Sequence, residues 1–274
     1  MVMMNLVKTF NGSKSILLLL IYILNNFPIN LCKESNGAST KPPATTKFEN
    51  VQATVWQGSH WVASCQYDLW KTSLPYAAVA HKTYSNADRC GACFKVEQVD
   101  KRKKVYGIFN NECADCPDGA LDMDKKLYNL MMGEKTPPGK TNVNWEFVDC
   151  KEAVHEAKKT SSSPGRKALS YSAEATKDHN EFVVTVIPKV GSSKDWSEFQ
   201  VAGATLQIGK VEVKLGGKSS YISTTRKNYN YFSFDGAPND KMDIKITCEN
   251  GVVLMAYGIK PEFGSNVHLR DNCT

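Results

Sequence analysis

No apolar stretch of this 274-residue chain is long enough to cross a bilayer. The run Ile16–Leu24 (ILLLLIYIL) has nine residues, where a spanning helix needs about 20. Lys8 and Lys14 precede it and polar residues follow at once, so it reads as the apolar centre of a secretory signal. A small-x-small cleavage pattern is also missing. The cut is expected between Leu31 and Gly37, with residues 1–32 taken as the signal. Strong charge of one sign is lacking too: 34 Lys and Arg against 28 Asp and Glu leave a net charge of +6. No basic stripe carries interleaved aromatics. Nucleic acid is therefore a poor partner, and neutral or acidic polymers suit the chain better. There are no internal repeats, which excludes a solenoid or propeller array. What remains is a soluble, secreted chain of one or two domains, whose 42% hydrophobic content suffices for real cores.

Nine cysteines are present, at 32, 65, 90, 93, 113, 116, 150, 248 and 273. Cys32 lies at the expected cut. The other eight form an even set, which suits disulfides in an oxidising compartment. Cys90-Gly-Ala-Cys93 and Cys113-Ala-Asp-Cys116 also fit the spacing of a zinc ribbon. Compartment and parity favour disulfides and no metal. The zinc alternative predicts thiols that react once a chelator is added, without reductant.

Residues 33–47 are rich in Ser, Thr, Pro and Lys and read as a flexible leader. Residues 48–150 hold six cysteines and the short β-like runs VQATVWQ, AAVAH, CFKVEQV, KVYGIF and VNWEFVDC, separated by turn residues. A helix is expected over Met123–Met131. This is the pattern of a small disulfide-braced β-barrel. Residues 151–180 almost lack large apolar side chains and read as a linker, with a helix over Glu152–Lys159. Residues 181–274 alternate as strands: FVVTVIP, KVEVKL, SSYISTT, YNYFSF, MDIKITC and VVLMAYGI. Gly216-Gly217 and Asn250-Gly251 mark hairpins. Seven or so strands predict a β-sandwich, its tail tied back by Cys248 and Cys273.

Chemistry concentrates in Cys113-Ala-Asp-Cys-Pro-Asp-Gly-Ala-Leu-Asp-Met-Asp124. Asp122 lies between Leu121 and Met123, at the edge of a packed layer. A carboxyl group there either loses hydration and becomes a proton-bearing acid, or caps the following helix. Glu112, Asp115, Asp118 and Asp124 lie near it, but an inverting glycosidase needs a second carboxyl group about 6.5–9.5 Å away from elsewhere in the barrel, and the sequence does not point to one. In the second block, Trp196, Tyr221, Tyr229 and Tyr231 are candidates for stacking on the C–H faces of sugar rings, against the alternative that each packs in a core. Alternation through Tyr229-Asn-Tyr-Phe232 places Tyr229 and Tyr231 on one face.

These pieces together resemble the expansins and expansin-like proteins. Ala53-Thr54 corresponds to the family's opening Ala-Thr, and Cys90-Gly-Ala-Cys-Phe94 to its Cys-Gly-Ala-Cys-Tyr. Gly119-Ala-Leu-Asp-Met123 matches the segment that carries its key acid, and Val143–Cys150 the strand closing its barrel. Gly191-Ser-Ser-Lys-Asp-Trp196 and Asn228-Tyr-Asn-Tyr-Phe232 match its aromatic segments. The resemblance covers residues 48–150 and 181–260. It implies a mainly β fold: a six-stranded double-psi β-barrel, then an immunoglobulin-like β-sandwich. It also implies no cofactor or metal, groove residues Thr54, Asn111 and Asp122, and a platform of Trp196 and Tyr229 with Tyr221 and Tyr231. Asn111 stands where the family has a second groove carboxylate, and Asp195 where it has a second Trp. The related inverting endoglucanases place a catalytic Asp four residues after the opening Thr; here that residue is Gly58. An acid without a base grips better than it cuts. The expectation is a monomeric, secreted wall protein that binds cellulose-like glucan and loosens it without hydrolysis. The alternatives are a weak inverting glucan hydrolase using Asp122, and a purely structural polysaccharide-binding protein.

Overall fold

Strand alternation in the first block sends Ala53, Val79, Phe94, Val96, Ile108, Leu121 and Met123 to one side, and all of them are fully buried. The computed structural model describes residues 46–56, 63–67, 72–133, 137, 139–161 and 182–274. The expected signal, Cys32, Gly58 and most of the leader lie outside these residues. The described residues of the block form six strands: β1 (Lys47–Trp56), β2 (Tyr76–Ala80), β3 (Cys93–Gln98), β4 (Lys101–Cys113), β5 (Leu121–Asp124) and β6 (Thr141–Val148). They close into a barrel in the order β1-β5-β2-β4-β3-β6. The pairs β1–β5 and β2–β4 are parallel, and the others antiparallel. Closure leaves no free sheet edge.

Aromatic packing fills the barrel. Phe94 and Phe109 stack at 4.3 Å between centroids, and Trp145 meets Phe109 edge-on at 5.4 Å. Phe48 stacks on Trp145 at 4.1 Å. The Trp145 indole N–H donates to the Gly119 carbonyl at 2.7 Å, which ties the 113–120 loop to the barrel. Gly119 has φ of +75°, and a Cβ there would lie 2.5 Å from the Phe48 ring. Only glycine fits both the conformation and the space.

The eight expected cysteines pair as Cys65–Cys90, Cys93–Cys150, Cys113–Cys116 and Cys248–Cys273. The two C-x-x-C pairs thus go separate ways, and the sulfurs of the zinc alternative are used in S–S bonds. Among the described residues, three short helices accompany the strands: α1 (His81–Tyr84), α2 (Lys125–Met132) and α3 (Cys150–Ser161). The helix expected from Met123 begins two residues later, because Leu121–Asp124 is a strand. The segment read as a linker starts with α3, whose Ala153 and Ala157 are buried in the barrel's apolar cluster. Residues 162–181 lie outside the described residues. Among the described residues, no helix is long and apolar enough to cross a membrane.

Nine strands form the second block. One sheet, β10-β9-β13-β14, holds β9 (Ile208–Leu215), β10 (Ile222–Ser223), β13 (Met242–Cys248) and β14 (Val253–Ile259). The other, β11-β12-β8-β7-β15, holds β7 (Thr185–Pro188), β8 (Glu198–Ala202), β11 (Thr225–Arg226), β12 (Phe232–Ser233) and β15 (Val267–His268). Both expected hairpins form, with Gly217 and Gly251 at φ of +77° and +86°.

The two blocks touch directly. Phe182, Ile187 and Ala202 join the barrel's apolar cluster. The side-chain amides of Gln200 and Asn230 donate to the Cys65 carbonyl at 2.9 and 3.1 Å. The Tyr84 hydroxyl donates to the Asn228 carbonyl at 2.8 Å. Arg226 is almost fully buried here, its guanidinium bonded to the Asn230 side-chain oxygen at 2.7 Å and 3.7 Å from Asp88.

Candidate functional site

Strand register decides which side chains meet. Thr54 on β1 lies opposite Asp122 on β5, Asp122 lies opposite Ala78 on β2, and Ala78 lies opposite Asn111 on β4. The four residues form one row across four strands. Their neighbours Ala53, Leu121, Met123, Ala77 and Val79 are buried, and so is Ala78 itself, whereas Thr54, Asp122 and Asn111 are half-buried, so the three polar side chains are the part of the row that reaches solvent. The Thr54 hydroxyl donates to Asp122 Oδ1 at 2.6 Å. This fixes the carboxylate rotamer and leaves the second oxygen to accept from a ligand. At the other end of the row, Asn111 Oδ1 accepts from the backbone N–H of Ser64 at 3.0 Å and from its hydroxyl at 2.7 Å. Its carbonyl side is thereby occupied, which turns the amide NH2 into the donor available to a ligand. Ala78 sits buried between them, so the row presents polar groups only at its two ends.

Two residues further along the same face, Trp56 pairs with Asp124 in the ladder. The Trp56 and Tyr76 rings meet edge-on at 6.4 Å. Both rings are half-buried beside the row, and a sequence reading centred on polar residues misses them. Their signal was their spacing, two residues from Thr54 and from Ala78. The helix cap foreseen at Asp122 is made by Asp124, whose Oδ1 accepts from the Leu127 N–H at 2.6 Å. Asp124 is also the carboxyl group that loses its hydration. Burial pushes it up to about 6, against the N–H groups of Leu127 and Tyr76 and the charge of Lys126. At the rim of the barrel, His81 Nδ1 contacts Glu112 Oε1, a pair that sequence reading did not connect.

The sandwich carries a second cluster. Trp196 is 48% exposed, in the β7–β8 connection. The Tyr229 and Tyr231 rings lie 5.9 Å apart. Asn230 between them has φ of +67°, so this is a turn and not the alternating strand expected from the sequence. The consequence is a correction: Tyr231 is buried, and Tyr229 and Trp196 provide the accessible rings. Lys189 Nζ lies over all three rings, 4.6 Å from Tyr229, 5.2 Å from Tyr231 and 5.9 Å from Trp196. It is bonded to Glu198 at 2.7 Å, and Glu198 also accepts from the Tyr229 hydroxyl at 3.2 Å. Burial lowers the Lys189 ammonium and Glu198 more than restores it, so the residue stays a cation. Lys189 and Glu198 organise the rings, yet nothing in their local sequence says so.

Tyr221 stands apart from this cluster. It adjoins β10 on the other sheet, with Lys214 Nζ 5.6 Å and Lys245 Nζ 5.3 Å from its ring. The expected grouping of Tyr221 with Trp196 and Tyr229 does not form, because β10 pairs with β9 and not with β11 or β12. The row on the barrel and the rings on the sandwich are joined by one short segment. Ser64 holds Asn111, and its neighbour Cys65 accepts from Asn230, which lies between Tyr229 and Tyr231. Among the described residues, no cluster of three or more His, Cys, Asp or Glu side chains is placed to hold a metal ion.

Residues 40–150 match the model of the Barwin family. Two curated relatives from Dictyostelium discoideum share the sequence at low identity. Expansin-like protein 5 is 23% identical over 160 residues, 57% of this chain and 55% of the relative. Expansin-like protein 1 is 21% identical over 223 residues, 78% of this chain and 68% of the relative. The chain thus spans about half the length of the first of these. Among solved structures, the apo expansin of Clavibacter michiganensis superposes with a TM-score of 0.62 at 20% identity, over 84% of this chain and 98% of the other. A mutant form of that expansin, crystallised with cellohexaose, matches with the same TM-score at 19% identity, over 83% and 98%.

Proposed function

We propose that the chain is an expansin-like protein that binds a cellulose-like wall glucan outside the cell, as a monomer, and loosens it without hydrolysis. The observation that carries this reading is the row Thr54–Asp122–Ala78–Asn111, which contains one carboxylate. Asp122 accepts a sugar hydroxyl through its free oxygen, and the Asn111 amide donates to another. Trp56 and Tyr76 offer apolar surface to the sugar C–H face. An amide at Asn111 takes no proton from water, so the row holds a chain and lacks the base of an inverting mechanism. The related expansin crystallised with cellohexaose supports the ligand class.

In this reading Trp196 and Tyr229 capture the insoluble polymer, and the row acts on a chain at its surface. Trp196→Ala is expected to weaken binding to insoluble cellulose about tenfold, the loss of on the order of 1–1.5 kcal/mol of ring stacking. Pull-down isotherms measure it; unchanged retention would remove Trp196 from the platform.

Asp122→Asn is expected to abolish wall creep while the sandwich still captures cellulose. Extensometry on isolated walls, with a reducing-sugar assay on soluble glucan, tests it. Creep that survives Asp122→Asn leaves a structural binding protein. Reducing ends released by the parent chain and lost in Asp122→Asn would replace the proposal with the hydrolase reading. In that case Glu112, next to Asn111 and held by His81, is the first carboxylate to substitute.

A further inference from the structure

The Cys113–Cys116 disulfide has no role in the binding of glucan proposed above, and it differs from the other three bonds in exposure. Cys65, Cys90, Cys93, Cys150, Cys248 and Cys273 are all buried, whereas Cys113 and Cys116 are only half-buried. Ala114 and Asp115 between them are exposed, as are Pro117 and Asp118 just after. A disulfide is opened by a thiolate that reaches one of its sulfurs, so access governs which bond reacts first.

Opening this bond leaves the contacts around it in place. It joins residues three apart in sequence, where the other bonds span 25, 57 and 25, so it constrains the chain least. On one side, β4 stays paired with β2 up to Ala80 and Cys113. On the other, the Ala120 N–H donates to the Pro117 carbonyl at 2.9 Å, and the Ala120 carbonyl accepts from the Ala80 N–H at 3.1 Å. Trp145 holds Gly119, and Lys82 holds Asp118 at 2.7 Å. The loop is tied at both ends without the disulfide. Its two sulfurs therefore stay near each other once parted, and the bond can re-form in the folded chain.

Charge selects the reagent. Glu112, Asp115 and Asp118 surround the pair in sequence. His81 contacts Glu112 and Lys82 pairs with Asp118, while Asp115, exposed between the two cysteines, makes no ion pair among the described residues. A negative surface repels an anionic thiol and attracts a cationic one.

We propose that Cys113–Cys116 is a thiol-exchange site, a bond that small cationic thiols open and modify in the folded protein. The thiolate of the reagent attacks one sulfur. A new S–S bond to the reagent forms as the bond between the cysteines breaks, and the released cysteine takes up the proton that the reagent gave up. A second thiol removes the adduct as its own disulfide, so two electrons and two protons pass from two thiols to the protein. The proposal does not rest on the reading of the row. Alternation does place Cys113 on the same face of β4 as Asn111, two residues before it, so an adduct there stands beside the row.

The test uses the full, disulfide-bonded chain. Free thiols, Cys32 included, are first blocked with iodoacetamide. The protein is then exposed without denaturant to cysteamine, a cation, or to 2-mercaptoethanesulfonate, an anion, and quenched with N-ethylmaleimide before peptide mass mapping. Adducts and new labels are expected at Cys113 and Cys116 at least about a hundredfold faster than at any other pair, because exchange at a buried bond waits on an opening of the fold. Circular dichroism is expected to stay that of the folded chain. Each rate is divided by that of the same reagent with an uncharged small disulfide, which removes differences in intrinsic reactivity. The cation is then expected to lead by at least about threefold at low salt. The Cys113→Ser, Cys116→Ser double variant is expected to lose the fast adduct. Another pair reacting first, all pairs opening together, reaction only after unfolding, a lead for the anion, or a fast adduct in the folded double variant would each overturn the proposal. Should the double variant not fold, the adduct map of the parent chain decides alone.

Discussion

Replacing Cys93 and Cys150 together by serine lowers the unfolding free energy by about 4 kcal/mol. The bond joins residues 57 apart in sequence, and the loop-entropy relation gives about that value for such a span. Both sulfurs are buried, so serine adds the further cost of placing a hydroxyl where the site offers it little. The bond also joins β3 to the first residue of α3. That residue donates its N–H to Thr205 across the domain boundary, and loosening it frees the helix and the boundary together. The matched control is Cys113 and Cys116, only three residues apart, where the same relation gives about 2 kcal/mol. Denaturant unfolding of both double variants measures the difference. Equal losses would mean that native packing, and not the constraint on the unfolded chain, sets the contribution of these bonds. Domains of ordinary stability have about 5–15 kcal/mol in total, so the first loss is large enough to leave part of the population unfolded on mild heating.

The second large effect concerns Asp124. Its carboxyl group is buried at the junction of β5 and α2, and burial raises it to about 6. A raised acid keeps its proton in the folded state at pH values where the unfolded chain has already released it. Its contribution is therefore complete below the unfolded value of about 3.9 and is lost as pH rises through about 6. The span corresponds to at most about 3 kcal/mol. Asn is an equally good cap and stays neutral, so Asp124→Asn removes this dependence. Urea unfolding at pH 4 and at pH 8 is expected to show near-equal stability at the lower pH and an advantage for the variant at the higher. Parallel pH profiles for the two proteins would show that Asp124 does not titrate in this range. Asp124 stands two residues from Asp122 and pairs with Trp56, so its charge state bears on the ligand-facing row as well as on stability.

Much of this molecule is legible in its residues. Short β-prone runs bounded by turn residues mark β1, β2, β3, β4 and β6, and period-two alternation marks β9 and β13 of the sandwich, because burying one face of a strand imposes that period whatever the partner. Glycine pairs mark hairpins because only glycine adopts positive φ at no steric cost. The odd strand was β5. Leu-Asp-Met-Asp is too short to show a period and runs straight into the helix. Its pairing is parallel to β1, nearly seventy residues away, a contact that no local propensity encodes. The cap moved from Asp122 to Asp124 for this reason alone. The strand β8 was missed likewise, since Glu198 and Gln200 are polar residues that point into buried contacts with Lys189, Tyr229 and Cys65.

By itself, then, the sequence singled out Asp122, Trp196 and Tyr229 as candidates and left eight cysteines available to pair. Residue type and local spacing carry that information. Only the tertiary structure decided which side chains meet. Register sets Thr54 on Asp122 and Asn111 on Ser64. Sheet membership takes Tyr221 away from Trp196. A positive-φ Asn230 buries Tyr231, and the docking of the sandwich on the barrel brings Asn230 to Cys65. Each of these depends on pairings between residues far apart in the chain, whose free energy is settled by the whole packed fold and leaves no mark on the neighbouring residues.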